Sequence, residues 1–121
     1  MRIIILVGLG SFLGGIFRYL LTQYVQTRVL SEFPLGTLLV NITGSFLIGI
    51  VFGLAGKFSI GPEWRFFLMT GVIGGFTTFS SYSLEIVNLM RGNQPALAML
   101  YLAGSILLSV PFTFLGLFLS R

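Results

Sequence analysis

The chain has 121 residues, a mean hydropathy of +1.02, 8% charged side chains and a formal net charge of +4. A soluble domain carries about a quarter charged residues, so this composition belongs to an integral membrane protein with little mass outside the bilayer. With neither Cys nor His, the chain has no disulfides, no thiol chemistry and none of the usual transition-metal ligands. Its seven basic residues are scattered singly at span ends, which suits lipid headgroups and offers no patch for nucleic acid.

Four apolar stretches predict an all-α membrane protein with one transmembrane domain over 1–121. They are 3–24, 35–56, 66–90 and 95–120, and each meets the roughly 20 residues needed to cross the hydrocarbon core. The first is too long for a signal peptide and no small-residue cleavage site follows it, so it reads as a retained span. It carries Gly10 and Gly14, which suit close helix packing, and one charge, Arg18. Arg18 either lines a polar path or snorkels towards headgroups.

The second stretch has a polar stripe, Thr37, Asn41 and Ser45, and a small-residue stripe, Ser45, Gly49 and Gly53. Residues four apart share a helix face. The third stretch is interrupted by Gly74-Gly75-Phe76-Thr77-Thr78-Phe79-Ser80-Ser81-Tyr82-Ser83. A continuous apolar helix needs no glycine pair and no hydroxyl cluster at its centre. Irregular backbone at membrane depth persists only inside protein or beside a polar pathway. At roughly 1.5 Å per residue, Thr77 and Thr78 fall near the bilayer midplane. Unwound carbonyls there suit a small cation, and half-helix amino ends suit an anion. Glu85 follows, either as a site residue or simply near the interface. The fourth stretch places Tyr101, Ser105, Ser109 and Thr113 on one face, with Pro111 among them. Such a row either lines a path or bonds back to its own helix carbonyls.

With four spans, both termini share a side with Lys57 and Arg65, and Arg28 and Arg91 lie on the other. That charge bias is weak and is compatible with insertion in either orientation. Arg18, Asn41, Glu85 and Tyr101 come from four different spans and share one depth range, which predicts a wet vestibule in which Arg18 and Glu85 pair. The recurring small residues predict a homo-oligomer. Donors dominate the lining, and the edges of Phe79 and Tyr82 carry positive charge. The solute expected from these residues is a small anion or a small neutral molecule.

Three motifs together are specific: Gly14-Gly15-Ile16-Phe17-Arg18-Tyr19, Gly36-Thr37-Leu38-Leu39-Val40-Asn41, and Gly74 to Ser83. With them the chain resembles, over essentially its whole length, the Fluc (CrcB) family of fluoride channels. The resemblance implies an antiparallel, dual-topology homodimer with four spans per subunit and a broken third helix. It implies two pores that pass fluoride passively out of the cell across the plasma (inner) membrane, with no enzyme activity. It further implies a structural sodium ion at the dimer centre, held by the backbone carbonyls of Gly74 and Thr77. The pore residues implied are Asn41, Phe79, Tyr82, Tyr101 and Ser105, with Ser109 and Thr113 extending the track and Arg18 and Glu85 at the vestibule. The chain departs from the family at one position: the second pore aromatic, usually Phe, is Tyr82.

Two other classes fit a chain of this size. A four-helix proton-coupled drug exporter relies on an acidic residue deep in its first span, where this chain has only Arg18. A non-transporting assembly subunit built on the glycine stripes has no need of a deep polar track.

Overall fold

Helix α1 runs from Arg2 to Arg28, α2 from Leu35 to Lys57, and α6 from Pro95 to Ser120. The computed structural model describes every residue from Met1 to Arg121, and these three helices are long and apolar enough to cross a membrane. Between α2 and α6 lies the interrupted segment. It opens with α3 (Pro62–Arg65) and continues as a π-helical stretch (Phe66–Ile73) and α4 (Gly74–Phe76). After Thr77 and Thr78 it resumes as α5 (Phe79–Arg91).

The interruption is narrower than the ten residues that the glycines and hydroxyls suggest. Only Thr77 (φ −82°, ψ 158°) and Thr78 (φ −149°, ψ 121°) are extended. Ser80, Ser81 and Ser83 belong to the first turns of α5. The π-helical stretch is not signalled by the sequence: Phe66 to Ile73 contains no proline, and its one glycine, Gly71, lies near its end. The wider register shows where the N–H of Gly74 reaches back to the carbonyl of Met69, five residues away. The fourth predicted span begins and ends where expected, and α6 continues helically through Pro111.

The small-residue stripes set the packing, and they do so inside the protomer. Helix α1 lies against the π-helical stretch and α4, while α2 lies along α6. Gly10 and Gly14 face Gly71, Val72 and Phe76. A Cβ added to Gly75 would stand 2.8 Å from the Cα of Ser11, so only glycine allows this approach of backbones. On the other seam Gly49 and Gly53 meet Thr113, Leu117 and Ser120, and Gly116 meets Phe46 and Ile50. These stripes are consumed by contacts between helices of one chain, so the oligomer inferred from them loses that support.

The connections are short and braced by side chains. Arg65 donates from Nε to the carbonyl of Ile60 (2.8 Å) and from Nη2 to that of Ala55 (3.0 Å), which satisfies the carboxyl end of α2 with a cation. Arg2 pairs with Glu63 at 3.5 Å, tying the start of α1 to α3. At the opposite end Gln94 donates to Glu32, joining the α5–α6 turn to the α1–α2 loop.

Candidate functional site

The break leaves backbone groups without helical partners, and each is treated differently. Asn41 on α2 lies astride Thr78: its Oδ1 accepts from the Thr78 N–H (2.9 Å) and its Nδ2 donates to the Thr78 carbonyl (3.0 Å). The Thr78 hydroxyl then caps α5 by accepting from the N–H of Ser81 (3.2 Å). The Thr77 hydroxyl turns back to the carbonyl of Ile73 (3.1 Å). Two carbonyls are released by this arrangement. The Thr78 N–H is drawn to Asn41 instead of to Gly74, and the Ser81 N–H goes to a side chain instead of to Thr77.

Gly74 and Thr77 open onto a cavity of about 310 Å³, lined also by Asn41, Ser45, Thr78 and Phe79. Main-chain oxygens without donors are the hard, neutral ligands that an alkali or alkaline-earth cation accepts. The donor set of Gly74 and Thr77 therefore fits the cation expected there.

On the other side of the break the side chains form a second network. Glu85 accepts at Oε1 from the Thr37 hydroxyl (2.7 Å) and at Oε2 from the Tyr101 hydroxyl (2.7 Å). Three helices, α2, α5 and α6, thus meet at one carboxylate. Glu85 and Arg18 line the same pocket of about 250 Å³, together with Thr22, Gln23, Thr37 and Ser81. Of the four residues expected to share a vestibule, Arg18 and Glu85 line this pocket and Asn41 and Tyr101 do not, and Arg18 and Glu85 do not form an ion pair. Glu85 prefers two hydroxyl donors already fixed by packing, since Thr37 and Tyr101 are both buried. It also lines a second polar cavity of about 360 Å³ with Glu32, Asn88 and Gln94.

Aromatic rings connect the break to this network. Phe79 lies 5.5 Å from Tyr82 at 58°, Tyr82 lies 5.0 Å from Tyr101 at 66°, and Tyr101 lies 5.5 Å from Phe33 at 77°. Successive rings are tilted or edge-on, the arrangement favoured by the ring quadrupole. Phe79 is 77% exposed whereas Tyr82 is 5% exposed, so only the first presents its ring openly.

The hydroxyl stripe of α6 divides in two. Tyr101 and Ser105 are buried, and the Ser105 Oγ has no hydrogen-bond partner. A buried hydroxyl left free is costly unless something meets it. Ser109 and Thr113 are partly exposed, and the Thr113 hydroxyl bonds back to the Ser109 carbonyl (3.2 Å). Thr37 is the residue absent from the site expected on sequence grounds. Its place in the α2 stripe, one turn before Asn41, was the available signal.

Comparison with known proteins gives the family. Residues 5–117 match the family described as CrcB-like protein, Camphor Resistance (CrcB). A fluoride-specific ion channel FluC of Rhizobium meliloti is 44% identical over 122 positions, covering 100% of this chain and 98% of that one. The protein of the same name from Aquifex aeolicus is 41% identical with the same coverage. One from Thermus thermophilus is 46% identical over 112 positions, covering 93% of this chain and 88% of its own. The motifs, the interrupted third stretch and these matches along nearly the whole length agree that the chain is a multi-pass membrane protein and belongs to the CrcB family.

Proposed function

We propose that the chain is a passive fluoride-selective channel that lowers cytoplasmic fluoride by efflux across the plasma membrane. The observation that carries this reading is the break, with carbonyls on one side and ring edges and buried hydroxyls on the other. The names of the relatives supply the ion. Fluoride enters from the vestibule of Arg18 and Glu85. It passes Phe79 and Asn41, whose amide keeps one N–H beyond the one used on Thr78. It continues along Tyr101 and Ser105, where the free Ser105 hydroxyl is the best-placed donor, and then past Ser109 and Thr113. Four membrane crossings are required, with α3 to α5 together forming the third.

Function in this reading requires a second, antiparallel copy. Main-chain carbonyls without donors beside an open cavity are costly against lipid, and a partner's break covers them. Sodium is then held between the subunits by the carbonyls of Gly74 and Thr77. It supplies structural cohesion and positive potential near the anion path.

Fluoride efflux from liposomes holding the purified protein is the test. Wild-type vesicles are expected to empty far faster than protein-free ones, and efflux is expected to fail when sodium is replaced by a bulky organic cation. Phe79→Ile removes the exposed ring and is expected to reduce flux severely. Absence of flux from folded wild-type protein would refute the channel; unaltered flux without sodium would remove the cation alone.

A further inference from the structure

The hydroxyl of Tyr82 is the one chemical feature by which this chain departs from the phenylalanine its resemblance leads one to expect, and it has a defined partner. It donates to the carbonyl of Leu102 in α6 at 2.9 Å. That carbonyl belongs to the residue after Tyr101, whose own hydroxyl holds Glu85. The Tyr82 ring lies edge-on against Tyr101 and belongs to a buried cluster with Leu38, Leu89 and Ala98. We propose that Tyr82 is a positioning residue: by bonding the Leu102 carbonyl it fixes its ring against Tyr101, and through Tyr101 it aims the hydroxyl that holds Glu85.

Three observations favour positioning over direct contact with the anion. The Tyr82 hydroxyl has a single hydrogen and that hydrogen is already donated, so none remains for an anion. The ring is almost fully buried, whereas Phe79 is open. The tether also joins α5 directly to α6, and these are the two helices whose side chains, Glu85 and Tyr101, must stay in register. Of the two rings at the break, Phe79 then meets the ion, and Tyr82 keeps the network behind it in place.

This inference rests on the fluoride-channel reading for its flux measurement but not for its spectroscopic one. Tyr82→Phe keeps the ring and removes only the tether. A net hydrogen bond contributes about 1 kcal/mol, so the fluoride concentration giving half-maximal flux is expected to rise roughly two- to tenfold, with maximal flux little changed. The tyrosine ring doublet in the Raman spectrum reports whether a phenol is donating. With the exposed Tyr19 and Tyr24 replaced by Phe, Tyr101→Phe leaves Tyr82 as the one tyrosine and Tyr82→Phe leaves Tyr101 alone, so each signature is read by itself. Titration with sodium fluoride is expected to leave the Tyr82 signature that of a donor throughout, and the variant is expected to show a weakened donor signature at Tyr101. A Tyr82 signature that shifts as fluoride is added overturns the proposal, because the hydroxyl then serves the ion. An unchanged half-maximal concentration in a conducting variant overturns it too. Should Tyr82→Phe fail to fold, the fluoride titration of the protein that keeps Tyr82 as its one tyrosine still decides. Should the wild type carry no fluoride, the channel reading fails on its own, and the Tyr101 signature in the variant still tests the tether.

Discussion

At the carboxyl end of α4 the main chain offers acceptors, and two residues later, at the amino end of α5, it offers donors. At the donor end two N–H groups are met within the protomer, that of Thr78 by Asn41 and that of Ser81 by the Thr78 hydroxyl, while those of Phe79 and Ser80 have no partner. At the acceptor end the carbonyls of Gly74 and Thr77 have no donor, and both residues line a cavity. Side chains thus brace the donor side of the break, whereas none meets the carbonyls of Gly74 and Thr77. The contrast explains why Asn41 stands one turn from Thr37: a single face of α2 braces the break and reaches Glu85.

The most damaging change to this contrast is Asn41→Asp. It keeps the acceptor for the Thr78 N–H but sets a carboxylate against the Thr78 carbonyl. An uncompensated buried acceptor costs about 3 kcal/mol, so fluoride flux is expected to fall roughly a hundredfold and thermal stability to drop with it. Next comes Gly75→Val, which pushes Cβ into the backbone of Ser11. Overpacking of about 1–3 kcal/mol is expected to lower the melting temperature and loosen α4 against α1, as hydrogen exchange at Phe76 would register. Thr78→Ala removes the cap of α5 and should cost about 1 kcal/mol, recovered in part by Thr78→Ser. The smallest effect is expected from Thr77→Val. It removes a hydroxyl spent on Ile73 but keeps the carbonyl, so the sodium dependence of flux should be unchanged; loss of that dependence would move the cation from the main chain to the side chain.

Much of the site was legible because membrane depth makes polar residues conspicuous. Gly74-Gly75 and the hydroxyls after them marked the break, and Arg18, Asn41, Glu85 and Tyr101 were singled out as strongly polar groups from four spans that share one depth range. Their pairing was not legible. Coulomb attraction suggested Arg18 for Glu85, yet two buried hydroxyls already in hydrogen-bonding position hold the carboxylate. The glycine stripes were visible, but periodicity does not state which helix meets them, and here each meets another helix of its own chain. The π-helical register over Phe66–Ile73 left no local trace, since it depends on how the segment seats against α1.

The bracing of the loops bears on how the molecule meets the electrical asymmetry of a membrane. On the face that carries the termini, Arg2 is paired with Glu63, and Arg65, still charged, is held by the carbonyls of Ala55 and Ile60. Lys57 and Arg121 are the side-chain cations that remain unengaged by acceptors on that face, and Arg28 and Arg91 lie on the other. The sequence has four basic residues against two; with Glu63 counted on one face and Glu32 on the other, the side-chain charge is three against one. To the potential across the bilayer, the two faces of the folded chain differ by two charges.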